Sequence, residues 1–216
     1  DTVGMPETEY KAFADYEEMA AKHEYISSSP LKINDKESVA KNLAIYSAFT
    51  EGLQLFSSFV ILLNFSRFGR MKGMGQIVTY SIRDESLHVE AMTKLFREFI
   101  KENLNLWTDD FKKEIYQVCR EMVKLEDKFL DLVFEMGDIQ GLSKEEMKQY
   151  IRYIADRRLL QLGLKTNYGV KDNPLNWLDD VLGVEHQNFF EGRATTYMKG
   201  GIKGNIETVQ FKNLVV

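Results

Sequence analysis

The amino-acid sequence predicts an all-α protein built as a bundle of long helices. Apolar residues recur at steps of three and four along most of the chain, which is the period of one helix face, and no segment alternates convincingly like a half-buried strand. Only 3 of the 216 residues are proline, so few positions force a helix to end. With 44% hydrophobic residues, the chain can bury a full core of this kind.

Capping signals divide the chain into six predicted helices. Asn34 followed by Glu37 resembles a capping box, Thr108 is a plausible N-cap, and Ser143 with Glu146 forms another predicted capping box. The predicted helices run over about Glu7–Tyr25, Asn34–Phe68, Gln76–Glu102, Thr108–Met136, Ser143–Leu164 and, after Asn173-Pro174, to Phe190.

Turn residues separate these helices. The run Ser27-Ser28-Ser29-Pro30 closes the first helix, and the glycine cluster Gly69, Gly73 and Gly75 is expected to turn the chain after the second. The glycine-rich end, Lys199–Val216, is expected to be loosely ordered. The sequence therefore predicts one helical domain over 1–198 and a flexible C-terminal segment over 199–216.

Composition excludes several classes of function. A net charge of −5 gives no broad basic field, so we expect no nucleic-acid partner. The single cysteine, Cys119, cannot form an internal disulfide, and the three histidines do not form a zinc-type cluster. The acidic start, Asp1–Tyr10, lacks the features of a signal peptide. The most apolar stretch, Leu53–Phe65, is too short to span a bilayer. We expect a cytoplasmic protein without a membrane partner.

The second helix places a carboxylate in an apolar stripe. The stripe is formed by Ala44, Ala48, Glu51, Leu55, Phe59 and Leu62. A buried carboxylate must be paired, protonated or bound to a metal, because its desolvation otherwise costs several kcal/mol. Glu51 is therefore a candidate metal ligand, and the alternative is a buried ion pair or a glutamate directed toward a water pocket.

The third helix repeats this pattern with two polar residues. Its predicted inward stripe consists of Val78, Ile82, Glu85, His88, Met92 and Leu95. A Glu-x-x-His pair is what dimetal helical bundles supply from two helices, while two other helices supply one carboxylate each. Glu85 and His88 could thus bind one iron or manganese ion. The alternative for His88 is a core histidine bonded to a neighbour; His23 and His186 lack the spacing and are interpreted as surface or structural residues.

Several blocks resemble one known family in the same order along the chain, over about Asp1–Met198. Ile82–His88 (IRDESLH) resembles the I-x-R-D-E-x-x-H signature of the class I ribonucleotide reductase beta subunit. The other matching blocks are Thr50-Glu51-Gly52 with Phe56, Ser58 and Phe59, then Tyr153–Leu159, Asn176-Trp177-Leu178 and Asn188–Arg193.

The resemblance implies a ferritin-like helical bundle that uses oxygen and a dinuclear metal centre to form a stable oxidant, commonly a tyrosyl radical. The metal is expected to be iron, with manganese or a mixed manganese–iron centre as alternatives. Glu51, Glu85 and His88 are the implied ligands, and Asp84 is the implied carboxylate of the radical-transfer relay. The alternative for Asp84 is a structural salt bridge with Arg83. The implied partners are a large alpha subunit, which reduces ribonucleotides to deoxyribonucleotides, and a second copy in a homodimer.

The resemblance also implies residues that this chain does not contain. The family's first ligand aspartate, its other Glu-x-x-His pair and its radical tyrosine are expected before Asp1, so the bundle is incomplete and no tyrosine is assigned. The chain alone should hold about half of the ligands, and the missing N-terminal half is expected as an absent segment or a separate chain. The end, Phe211–Val216, does not resemble the family's acidic docking tail.

The sequence leaves one alternative for how the metal site is assembled and two for the function. A homodimer could pair two half-sites across a twofold axis, although the family builds each site within one chain. A ferritin-like dimetal oxidase or ligand-binding oxidase would use similar ligands without a reductase partner, and a non-catalytic scaffold would use Glu51 and Glu85 only as buried pairs.

Overall fold

A computed structural model describes residues 15–28, 32–135 and 137–186, with the backbone alone for 182–186. In this part of the chain the fold is helical, and the one β-type contact is an isolated bridge between Ile139 and Leu142, so the all-α prediction is confirmed. The elements are α1 (Glu17–Ser27), α2 (Lys36–Ala44), a π-helical segment (Ile45–Gln54), α3 (Phe56–Arg67), α4 (Lys72–Glu102), a 3₁₀ turn (Leu104–Leu106), α5 (Asp109–Val133), α6 (Lys144–Gln161) and α7 (Asn176–His186).

Two of the predicted helix starts are confirmed. Ser143 and Glu146 form a reciprocal capping box at α6. The Thr108 hydroxyl accepts a hydrogen bond from the Phe111 N–H at 3.1 Å at the start of α5. Each cap satisfies a backbone N–H that the first helical turn would otherwise leave without a partner.

The predicted start of α2 was wrong by one residue. Asp35, and not Asn34, is the N-cap, and its carboxylate accepts a hydrogen bond from the Glu37 N–H at 3.0 Å. A carboxylate at this position also favours the positive end of the helix dipole. Glu37 therefore donates to the cap through its backbone rather than closing a capping box through its side chain.

The predicted second helix contains a change of helix type. Its middle, Ile45–Gln54, is a π-helix, in which residues pair at i and i+5. The wider turns change which residues face inward after Glu51. Leu55, predicted to face the core, is 37% exposed, whereas Leu53 and Phe56 are buried.

Only the first of the three clustered glycines turns the chain. Gly69 has a φ of 76°, which favours glycine, but Gly73 and Gly75 lie inside the first turns of α4. A Cβ atom at residue 75 would lie 1.9 Å from the Ser66 hydroxyl oxygen. Gly75 therefore allows α3 and α4 to pack closely where the chain reverses.

The π segment lies at the centre of the packing. It contacts α4, α5 and α6 in addition to its neighbours α2 and α3. The largest fully buried side chains come from these elements, from the connection after α6 and from α7: Phe49, Leu53, Leu63, Phe96, Ile115, Met122, Leu130, Met147, Ile151, Leu159, Leu162 and Leu178.

The run of helix from Lys36 to Arg67 is long and apolar enough, by length and composition alone, to cross a membrane. In this fold 56% of its most apolar window is buried by the protein itself, as in the core helix of a soluble protein. The predicted boundary between 198 and 199, the end of the sixth helix at Phe190 and the block Asn188–Arg193 lie outside the described residues.

Candidate metal centre

The structure brings together the three residues that the sequence proposed as ligands. Glu51 lies on the π segment, and Glu85 and His88 lie one turn apart on α4, which packs against that segment. One potential ligand atom from each residue lies within 4.8 Å of the other two. Two carboxylates and one imidazole at this separation could share a metal ion.

The two carboxylates have buried oxygen atoms without hydrogen-bond partners. Glu51 Oε2 and Glu85 Oε2 are both inaccessible to solvent, and no described group donates a hydrogen bond to either. His88 Nδ1 lies 3.5 Å from Glu85 Oε2. A buried acceptor left in this state costs about 1–3 kcal/mol. Unpaired oxygens from two converging carboxylates fit a site that a cation completes.

The electrostatics of Glu51 agree with this interpretation. Burial raises the pKa of its carboxyl group above the ordinary value, the charge of Glu85 raises it further, and His88 partly offsets the increase. Two carboxylates close together oppose each other's ionisation. A divalent cation would remove that opposition and allow both groups to remain ionised.

His88 is more exposed than the sequence predicted. Its side chain is 57% exposed, whereas that of Glu85 is 24% exposed, and Leu95 on the predicted inward stripe is also exposed. The buried stripe of α4 instead passes through Val78, Ile82, Val89 and Phe96, and the prediction that His88 and Leu95 face the core was wrong for the described fold.

Asp84 lies on the flank of α4. Its exposed carboxylate is 3.7 Å from the Arg83 guanidinium. This distance fits the structural salt bridge that the sequence analysis gave as the alternative to a relay role. No hydrogen bond joins Asp84 to His88 in the described structure. The relay role of Asp84 therefore stays a prediction.

The sequence analysis missed a buried ion pair beside the π segment. Lys22 is buried and pairs with Glu126, which is fully buried and also accepts a hydrogen bond from the Ser57 hydroxyl. The signal for Glu126 was present, since it lies in line with Met122 and Leu130 on the apolar face of α5. The adjacent His23 is exposed as predicted.

Arg158 is a second buried cation near this segment. Its Nε donates a hydrogen bond to the Gly52 carbonyl at 2.8 Å, and its guanidinium lies 5.2 Å from the centre of the Phe56 ring. Burial lowers the pKa of Arg158 to about 10. The sequence showed this arginine only as part of a matching block and gave no indication of its contact.

Comparison with known proteins gives a consistent result. The family model described as ribonucleotide reductase, small chain, matches residues 1–174. The Invertebrate iridescent virus 3 protein named "Probable ribonucleoside-diphosphate reductase small subunit 048L" is 39% identical over 94% of this chain and 59% of its own length. The beta subunit of ribonucleoside-diphosphate reductase from Chlamydia pneumoniae is 35% identical over 74% of this chain and 46% of its own length.

Solved structures show the same fold. The R2 subunit of ribonucleotide reductase from Clostridium botulinum superimposes with a TM-score of 0.73 at 25% identity, over 79% of this chain and 55% of that chain. A Bacillus halodurans protein assigned to class I ribonucleotide reductase gives a TM-score of 0.75 at 26% identity, over 82% of this chain and 65% of that one. The present chain thus spans roughly half to two-thirds of the length of these relatives.

Proposed function

The chain belongs to the ribonucleotide reductase small-chain family, and on that premise we propose that it forms part of the radical-generating subunit of a ribonucleoside-diphosphate reductase. The complete subunit would supply the oxidising equivalent with which a large subunit reduces ribonucleotides to deoxyribonucleotides. The observation that carries this proposal is the convergence of Glu51, Glu85 and His88, with two buried carboxylate oxygens free of hydrogen bonds.

These three residues would hold one side of a dinuclear metal centre. Glu51 and Glu85 supply anionic oxygen ligands, and His88 supplies a neutral nitrogen ligand. We propose iron as the metal, with manganese or a mixed centre as alternatives that metal analysis separates. When bound, the centre supplies one-electron oxidation driven by oxygen. The protein residues hold the ions at a fixed spacing and neutralise their charge.

Asp84 would act beside the ligands rather than among them. Adjacent residues on a helix are separated by about 100°, so Asp84 and Glu85 face different sides of α4. The exposure of Asp84 supports a role in passing charge between the centre and a partner protein. A carboxylate next to a metal-bound histidine can also orient the imidazole.

The partners follow from the same proposal. We expect a large catalytic subunit, a second copy of the small subunit, and the remainder of the subunit that this chain does not span. We expect these to assemble in the cytoplasm, without nucleic acid or membrane.

Metal analysis and activity test the proposal together. The chain is combined with the part of the Invertebrate iridescent virus 3 subunit that it does not cover, loaded with Fe²⁺ without oxygen, and then assayed with oxygen and a large subunit. We expect two ions per completed subunit, weaker binding to the chain alone, and reduction of ribonucleoside diphosphates.

Two outcomes would replace the proposal with its alternatives. Metal binding that is unchanged by the double substitution Glu51→Ala and Glu85→Ala would point to a scaffold. Metal binding with oxygen consumption but no nucleotide reduction would point to an oxidase.

A further inference from the structure

The π segment requires support from outside its own backbone. Pairing between i and i+5 is rare and usually limited to a single turn, yet here it extends over 10 residues. Two carbonyl groups of this segment, at Gly52 and Gln54, accept hydrogen bonds from buried cationic side chains of α6 and α1. Both carbonyls follow Glu51 within three residues. The hydrogen bonds that they accept therefore fix the backbone that directs the Glu51 side chain.

Arg158 supports the first of these carbonyls. Its side chain is buried, and no carboxylate of the described residues pairs with it, so its charge is directed to the Gly52 carbonyl and the Gln161 side chain. A Cβ atom at residue 52 would lie 2.6 Å from Arg158 Nε. Glycine at this position therefore leaves the space that the guanidinium needs to reach the backbone.

Lys22 supports the second carbonyl. Its ammonium donates a hydrogen bond to the Gln54 carbonyl at 3.2 Å and pairs with the Glu126 carboxylate. Glu126 in turn accepts a hydrogen bond from Ser57 just beyond the segment. The ion pair thus joins α1 and α5 to both the end of the π segment and the start of α3.

We propose that Arg158 and Lys22 are positioning residues, which hold the π segment in the register that directs the Glu51 carboxylate toward Glu85 and His88. Both side chains bind backbone carbonyls that follow Glu51 in the sequence, and neither forms a hydrogen bond or ion pair with the three candidate ligands. The inference rests on the proposed function, because it takes Glu51 as a metal ligand. It adds two residues and a buried glutamate, Glu126, whose role is to set the geometry of that ligand.

The test compares two arginines of the same helix in the full 216-residue chain. Arg158→Met removes the donor to Gly52, and Arg152→Met removes a paired guanidinium that bonds to Asp127 on α5 at 2.7 and 2.9 Å. Each variant is titrated with Co²⁺, whose visible absorption reports ligand geometry, and is unfolded with urea in chelator. We expect Arg158→Met to weaken Co²⁺ binding about 10–100-fold, as for residues that orient ligands, and to alter the absorption spectrum.

Arg152→Met should lose stability and keep both the affinity and the spectrum of the unchanged chain. Equal effects of the two substitutions on Co²⁺ binding would overturn the inference. Failure of the proposed function would give a different result. In that case the single substitution Glu51→Ala would leave Co²⁺ binding as tight as in the unchanged chain.

A second variant covers the case in which Arg158→Met does not fold. The double substitution Lys22→Met with Glu126→Gln removes the donor to the Gln54 carbonyl without leaving a buried charge unpaired. We again expect weaker Co²⁺ binding and a changed spectrum. The single substitution Lys22→Arg keeps a donor for the Gln54 carbonyl, so it should bind Co²⁺ more tightly than the double variant. An unchanged spectrum and affinity in the double variant would contradict the role of Lys22.

Discussion

Two groups of carboxylates lie in or beside the π segment, and they differ in their partners. Glu51 and Glu85 have buried oxygens to which no described group donates a hydrogen bond. Glu126 is more deeply buried, yet it pairs with Lys22 and accepts a hydrogen bond from Ser57. Burial alone therefore does not mark a candidate ligand. What sets Glu51 and Glu85 apart from Glu126 is the absence of a lysine or arginine partner among the described residues, because a buried structural carboxylate is stable only with its counter-charge in place.

The largest expected effect tests the paired group. Lys22→Met should lower the free energy of unfolding by about 3–5 kcal/mol, because it leaves Glu126 charged and buried without a counter-ion. Urea unfolding in chelator measures this value. Adding Glu126→Gln should recover most of the loss. If the free energy of unfolding of Lys22→Met alone were within about 1 kcal/mol of that of the unchanged chain, the ion pair would not be needed for stability.

The unpaired group should respond in the opposite way. Glu85→Ala should weaken metal binding by at least about 100-fold, since a ligand is worth more than the residues that orient it. In chelator, the free energy of unfolding of Glu85→Ala should equal or exceed that of the unchanged chain, because the substitution removes a buried oxygen without a hydrogen-bond partner. Glu90→Ala, at an exposed glutamate of the same helix, is the control. Full metal binding by Glu85→Ala would remove it from the ligand set.

Asp84 sharpens the comparison, because it is an exposed carboxylate next to Glu85, which has one buried oxygen. Asp84→Asn keeps the size of the side chain and removes its charge, so metal content should be unchanged while nucleotide reduction in the complete complex falls at least about tenfold. Metal per chain, radical yield and turnover are measured for this variant and for Glu90→Gln. Normal turnover would leave Asp84 with only the salt bridge to Arg83.

The smallest expected effect is on the pH dependence of stability. Because the pKa of Glu51 is raised, mainly by burial, above the ordinary value of 4.5, the folded chain binds a proton that the unfolded chain has released. The stabilisation from this proton is complete below pH 4.5 and is lost as the pH rises through the folded pKa. Glu51→Gln should therefore gain stability relative to the unchanged chain as the pH rises in chelator. A constant difference between the two would contradict the raised pKa.

The parts of this fold that depend on local pattern could be predicted from the sequence. Thr108 and Ser143 cap their helices as expected, because capping needs only a side chain and a nearby backbone N–H. Glu85 and His88 lie one turn apart because any α-helix places residues at i and i+3 on one side. Their meeting with Glu51 followed from the apolar stripes and from the family resemblance.

The parts that depend on distant contacts could not be predicted in this way. The π segment receives hydrogen bonds from Arg158 and Lys22, and no helical period reveals donors so far along the chain. The same change of helix type moved Leu55 outward, because an analysis at 3.6 residues per turn cannot follow wider turns. His88 was predicted inward because an apolar stripe shows which face could be buried, not which neighbour covers it.

The π segment also limits how this region can change in length during evolution. Deleting one residue ahead of Glu51 would let that stretch close into an ordinary α-helix, but it would rotate the carboxylate by about 100° relative to the preceding turns. In the turn around Gly141, a length change would shift no candidate ligand. We therefore expect related sequences to vary in length in such turns while the number of residues from Ile45 to Gln54 stays constant. An added or deleted residue in that segment would change the direction of the Glu51 side chain.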